Sequence, residues 1–390
     1  MYNIKTLNSI SSVYENILRT NQFNVSADAE NPEAILVRSA DMHSYETNPE
    51  LLCVARCGAG VNNLPLDEFA QKGIVAFNSP GANANAVKEL VLAGLLLASR
   101  KIVEGIEWCR NLHDGESTVE KQVEKGKSQF PGPELNGKTL GVIGLGAIGV
   151  EVANTGVALG MNVLGYDPFI SVDHAWKLSR AVNHSTSIEE VLEKSDYITV
   201  HVPLMDSTRD LINAASIAQM KSTAAILNFA RDGLVNLEAV KEALANDKLR
   251  IYVTDFPSET LIGVDKVLLM PHLGASTPES EDNCVRMAAK QVNDYLKYGA
   301  ISNSVNYPNC SLGVNRIPRL AMLHKNVPNV IGSITMVLSE EALNIENMVN
   351  VSRGGYAYTV VDVGRAPSQR LVDKLGKLDT MYKVRLLMPE

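Results

Sequence analysis

"TLGVIGLGAIGVEVANTGVALGMNVLGYD", residues 139–167, decides how the rest of this chain is read. The apolar run "LGVI" leads into Gly144-Leu145-Gly146-Ala147-Ile148-Gly149, a helical pattern follows, and a second apolar run ends at Asp167. Strand, glycine turn, helix and strand in that order predict a dinucleotide-binding unit. Gly144 suits the tight turn, Gly146 lets backbone approach a pyrophosphate, and Gly149 lets helix pack on strand. The phosphates would sit at the positive end of the helix. Asp167 comes 18 residues after Gly149, where a carboxylate binds adenosine ribose hydroxyls. Its charge would repel a 2′-phosphate, and no Lys or Arg follows in "DPFIS", so NAD is favoured over NADP.

Downstream, strand-like and helical stretches alternate through "YITVHVPL", "AAILNFA", "LEAVKEALAN", "RIYVTDF" and "KVLLMPH". Upstream, "AILVRS", "LLCVAR" and "GIVAFN" read as strands, "LDEFAQK" as a helix, and "NAVKELVLAGLLLASRKIVEGIEW" as one long helix. The expected class is α/β, with two Rossmann-like parallel-sheet domains. Residues 1–98 with 276–305 form the first, and 99–275 form the nucleotide domain. Residues 316–390 read βαββαβ, a ferredoxin-like third module beyond the linker "SVNYPNCSLGVN".

The chain has 390 residues, 45% of them hydrophobic and 21% charged, with a formal net charge of −8. That suits full hydrophobic cores and argues against nucleic acid or an anionic membrane surface as partner. Five cysteines with no C-x-x-C spacing fit buried thiols in a reduced, cytoplasmic setting, and no metal site is expected. Neither a signal peptide nor a membrane span is visible.

Arg231, Asp255 and His272 follow three successive strand-like runs, and Glu259 lies between the last two. Ligands of open α/β sheets bind outside the carboxyl ends of strands, so these groups would face one crevice. "NFARDGLVN", "VTDFPSE" and "MPHLGAST", with the glycine motif, resemble the D-isomer-specific 2-hydroxyacid dehydrogenases from about residue 30 to 305.

The resemblance implies that His272 takes the substrate hydroxyl proton while hydride leaves the same carbon for the nicotinamide. An imidazole suits this, since its reference pKa of about 6.5 is close to working pH. It implies further that Glu259 pairs with His272, with Glu279 and Glu281 as alternatives, and that Arg231 grips the substrate carboxylate. Asp255 matches the family residue that holds the nicotinamide carboxamide, shifted by one position. His201, Pro203 and Ala230 would line the cofactor cleft, with Ala147 and Ile148 in the glycine motif.

For the substrate, Arg56 precedes a glycine turn in "VARCGAGVNN" whose Gly58 and Gly60 form a candidate anion nest. In phosphoglycerate-oxidising members the matching Arg contacts the phosphate. Asn83, Arg38 and Lys127 are further candidates. "RLAMLHKNVPNVIGSI" resembles the start of an ACT domain, an amino-acid-binding regulatory module. In serine-regulated members a His and two Asn residues bind L-serine across a dimer, which maps to His324, Asn326 and Asn344. Together these imply NAD-dependent oxidation of 3-phospho-D-glycerate, the entry step of serine synthesis, by a homo-oligomer under L-serine feedback. The alternatives are another D-2-hydroxyacid dehydrogenase of glycerate or lactate type, or a non-catalytic NAD-sensing protein.

Overall fold

The computed structural model describes every residue except 116 and 390. Its contacts divide the chain into Met1–Asn83 with Glu281–Glu390, and Ala84–Ser280.

The first unit contains two sheets. Strands β1 (Tyr2–Leu7), β2 (Phe23–Ser26), β3 (Ala34–Val37), β4 (Cys53–Arg56) and β5 (Val75–Phe77) form a parallel sheet in the order β2-β1-β3-β4-β5. β3 and β5 are buried along their whole length, which is why they read as unbroken apolar runs and not as alternating ones. The unit's part of the helix Pro278–Tyr298 packs on this sheet through Val285, Ala288, Val292 and Tyr295.

Strands β13 (Arg319–Lys325), β14 (Ile345–Arg353), β15 (Tyr356–Val363) and β16 (Met381–Leu387) form an antiparallel sheet ordered β14-β15-β13-β16, with the helices Val330–Ser339 and Gln369–Gly376 between them in sequence. (The strands β6 to β12 belong to the second unit, below.) Leu320 and Met322 pack with those two helices, whereas Ala321 and Leu323 join the core of the first sheet. The antiparallel sheet thus shares a core with the first sheet within one unit, where the sequence suggested a separate module. Polar contacts reinforce the join. Arg385 donates to the carbonyls of Tyr295 (3.0 Å) and Leu296 (2.7 Å), Arg319 to that of Tyr298 (2.8 Å), and the Tyr358 hydroxyl to that of Gly299 (2.7 Å). These are the orphan carbonyls and following turn of the helix Pro278–Tyr298, where cations are favoured.

In the second unit β6 (Thr139–Ile143), β7 (Asn162–Tyr166), β8 (Asn183–His184), β9 (Tyr197–Val200), β10 (Ala225–Asn228), β11 (Ile251–Thr254) and β12 (Val267–Leu269) form one parallel sheet, ordered β12-β11-β10-β9-β6-β7-β8. This is the doubly wound order, with its switch point between β6 and β9. The expected domain boundary at 98/99 moves to 83/84. Val87, Val91, Leu95 and Ala98 of the helix Ala84–Ser99 share a core with Leu140, Val142, Leu227 and Val253 of this sheet. The long helix expected to run on to Trp108 is broken into Ala84–Ser99 and Ile102–Arg110. At the break the Ala98 carbonyl accepts from Arg250 Nη1 (2.5 Å) and the Ser99 hydroxyl donates to the Pro133 carbonyl, so the last turn is capped from outside. Among the described residues no helix is long and apolar enough to cross a membrane.

Candidate active site

The glycine motif sits at the switch point, between the carboxyl end of β6 and the helix Ala147–Ala158. Gly144 has φ +93°, and a Cβ there would lie 2.8 Å from the His201 carbonyl at the end of β9. A Cβ on Gly149 would lie 1.9 Å from the Gly144 carbonyl oxygen, so helix and turn meet at a distance only glycine permits. Gly146 differs, since a Cβ there would meet nothing within 4 Å. Its open side and the first helical turn, with the half-buried Ala147 and Ile148, leave room for a phosphate. Asp167 follows β7. Its carboxylate accepts from the Leu145 N–H in the glycine turn (2.8 Å) and from the Phe169 N–H (2.8 Å). A carboxylate has about four acceptor sites, so capacity is left for ribose hydroxyls.

His201 is enclosed, and burial pushes its imidazole down to about 3. It is a neutral ring whose Nε2 pairs with the Thr199 hydroxyl (2.9 Å), while Nδ1 has no partner among the described residues. Pro203 is exposed, and its carbonyl accepts from the Thr208 hydroxyl (2.6 Å).

Three strand ends carry the remaining groups of this unit. After β10, Asn228 accepts from the Ala230 N–H (3.2 Å) and donates to the Arg231 carbonyl (2.9 Å). That side chain folds the turn which presents Arg231, exposed, with Nη1 on the Ala230 carbonyl (2.7 Å). After β11, Asp255 is fully buried. Its Oδ2 accepts from the Gly274 N–H (2.9 Å), and its Oδ1 has no partner among the described residues. Past β12, His272 is exposed, and its ring packs on Phe256 with centroids 4.9 Å apart at 54°.

The expected Glu259–His272 pair is not formed. Glu259 is exposed in the turn that follows β11, and among the described residues nothing hydrogen-bonds the His272 ring. Of the alternatives, Glu279 is exposed and Glu281 is bound to Arg38 (2.7 Å) in the first unit. The sequence reading missed two residues here. Asn228 was legible as an Asx residue at a strand end before a turn. Phe256 carried no signal, because nothing local shows which residue its ring will meet.

In the first unit Arg56 ends β4 with its guanidinium against the glycine turn. A Cβ on Gly60 would lie 2.8 Å from Nη1, and one on Gly58 would lie 3.7 Å from Nε. Nε donates to the Arg38 carbonyl (3.2 Å) and Nη1 to Asn62 Oδ1 (3.0 Å), so the group is held in place. Arg38 is occupied by Glu281. Asn83 is half-buried in the turn that ends this stretch of the unit. Lys127 lies in the other unit, exposed and paired with Glu124 (2.5 Å), which is an ordinary surface ion pair.

The three candidate effector residues are not gathered by one chain. His324 is 2% exposed, with Nδ1 on the Lys325 carbonyl (2.8 Å) and Nε2 on the Thr359 hydroxyl (2.7 Å), and burial lowers its pKa. Asn326 donates to the Gly354 carbonyl (3.0 Å), and Asn344 to Glu346 (2.7 Å). His324 pairs with Ala357 at one end of β15, whereas the Asn344 carbonyl accepts from Gly364 beyond the other. At about 3.3 Å per residue the two lie on the order of 20 Å apart.

Residues 103–274 match the family model for the D-isomer specific 2-hydroxyacid dehydrogenase NAD binding domain. The chain is 38% identical over 270 residues to the D-3-phosphoglycerate dehydrogenase of Methanocaldococcus jannaschii, covering 68% of this chain and 49% of that one. It is 32% identical over 354 residues to the enzyme of the same name from Haemophilus influenzae, covering 88% and 82%. It spans about half the length of several of the relatives it matches. Among solved structures it is similar to holo D-mandelate dehydrogenase of Rhodotorula graminis (TM-score 0.66, 25% identity, 80% of this chain and 99% of that one). NAD+-bound 3-phosphoglycerate dehydrogenase of Entamoeba histolytica matches at TM-score 0.61 and 24% identity, over 78% and 98%, a likeness of fold.

Proposed function

The chain belongs to the D-isomer-specific 2-hydroxyacid dehydrogenases and carries their NAD-binding domain, and from this we propose that it oxidises 3-phospho-D-glycerate to 3-phosphohydroxypyruvate, a step toward L-serine. The observation that carries the reading is the grouping of Arg231, Asp255 and His272 at the ends of strands of one parallel sheet whose switch point bears the glycine motif.

The cofactor fits the residues present. The open side of Gly146 and the helix start would take the pyrophosphate, and Asp167 the ribose. The unpartnered Oδ1 of Asp255 is a buried acceptor suited to the nicotinamide carboxamide. NAD, when bound, supplies the acceptor for the hydride from C2. The rest falls to side chains. Arg231 holds the substrate carboxylate through its planar fork. His272 takes the hydroxyl proton as the C2–H bond breaks, and the C2–O bond becomes a carbonyl. Arg56 recognises the phosphate.

A panel of phosphorylated and unphosphorylated D-2-hydroxy acids, each with NAD and NADP, tests the reading. Preferred turnover of 3-phosphoglycerate with NAD is expected, with an Arg56→Ala variant raising KM for that substrate alone. Equal turnover of glycerate or lactate would overturn it. Feedback by L-serine is a further part of the proposal. It requires a homodimer that brings His324 and Asn326 of one copy near the second copy's Asn344, because one chain holds them apart. Loss of inhibition in Asn344→Ala is the expected sign, and no serine response in the unaltered enzyme would end the idea.

A further inference from the structure

We propose that Asp255 and Phe256 are positioning residues that together seat the loop carrying His272, one through the Gly274 N–H and the other through the imidazole ring. The inference rests on the reading of His272 as acid–base group.

The anchor begins one residue earlier. Thr254 Oγ1 donates to the Asn228 carbonyl (2.8 Å) and accepts from the Phe256 N–H (3.2 Å), and the Thr254 carbonyl accepts from the Met270 N–H (3.0 Å). The exit of β11 is therefore tied to β10 and to the chain leaving β12. From this fixed point Asp255 and Phe256 reach the loop at two places, Gly274 and His272.

Asp255 is 0% exposed, forms no ion pair among the described residues, and accepts a hydrogen bond from the Gly274 N–H at 2.9 Å. Burying a carboxylate so sparsely satisfied is costly, and stability alone gives no reason for it. Gly274 fits the contact closely. A Cβ there would lie 3.3 Å from Asp255 Oδ2 and 3.4 Å from Val87. The expected acid partner, Glu259, does not hold the His272 ring, and the ring contact it makes is the one with Phe256, with centroids 4.9 Å apart.

The test compares Phe256→Leu, Phe256→Tyr, Asp255→Ala, Asp255→Asn and Gly274→Ala, with His272→Gln alongside. Phe256→Leu is expected to lower kcat about tenfold, since small misplacements are costly. It should also leave NAD affinity unchanged and be rescued by Phe256→Tyr. Asp255→Asn keeps an acceptor for the Gly274 N–H and should recover most of the kcat lost in Asp255→Ala. Gly274→Ala should lower kcat with the cofactor still bound. Asp255→Asn as impaired in kcat as Asp255→Ala, both measured at saturating NAD, would overturn the loop role of Asp255. Independently of turnover, the His272 ring proton resonance, assigned by its loss in His272→Gln, should shift in Phe256→Leu. An unmoved resonance would overturn the Phe256 contact. Full turnover in His272→Gln would instead remove the acid–base reading while leaving the resonance shift in place.

Discussion

His272 and His324 lie in opposite settings, although both were singled out by their neighbours in sequence. His272 is exposed on a loop beyond a strand end, and its ring touches Phe256. His324 is buried in a central strand, with Nδ1 and Nε2 both engaged. A ring that must give and take a proton needs an open nitrogen and contact with solvent or substrate. A ring with both nitrogens paired inside a sheet has to give up a partner before it can bind anything else. Motif spacing finds the residue type, and the accessibility of its nitrogens decides what it can do.

The largest expected effect separates the two regions by activity. His272→Ala should cut kcat by about 10²–10⁴-fold, the usual contribution of a positioned base, with NAD affinity kept in a calorimetric titration. A smaller loss would remove His272 from the role of general base.

The next effect belongs to the antiparallel sheet. Arg319 is 1% exposed and pairs with Asp362 through Nε (2.6 Å) and Nη2 (3.1 Å). Arg319→Ala leaves that carboxylate buried and unpaired, and should cost about 3–5 kcal/mol in denaturant unfolding. A cost below about 1 kcal/mol would mean that the sheet is not part of the unit's core.

His201 gives a third test, through pH. Burial pushes its imidazole down to about 3 in the folded chain, from an ordinary value of 6.5. Between those values the unfolded chain binds the proton and the folded one does not, so stability is full above about pH 6.5 and falls as pH drops toward 3. From pH 6.5 to 5 the loss should be about 2 kcal/mol. His201→Asn should flatten that dependence in thermal unfolding, and an unchanged slope would contradict it. A fourth test is Thr359→Val, which removes the partner of His324 Nε2 and the donor to Asn350 Oδ1 (2.8 Å). A loss of about 1–3 kcal/mol is expected, the cost of leaving buried polar groups unpaired. No loss would show that His324 finds another partner.

The cofactor end of the second unit was legible because its signals are local. Three glycines at fixed spacing and a strand-end carboxylate each answer to backbone geometry within a few residues. Element types along the chain were legible for the same reason. The break after Ser99 was not, since Arg250 and Pro133, which end that helix, are distant in sequence. The pairing of Glu259 with His272 also failed as an expectation, because the conformation of two loops decides it.

By itself the sequence determined the doubly wound sheet, the glycine turn, Asp167 and the strand-end placement of Arg231, Asp255 and His272, because periodicity and turn chemistry act over short range. Only tertiary structure decided that Phe256 meets the His272 ring, that Glu281 is taken by Arg38, that His324 is buried with both nitrogens satisfied, and that the antiparallel sheet shares the core of the first. Those outcomes turn on which surfaces meet and which groups lose water, and that depends on packing between segments far apart in the chain.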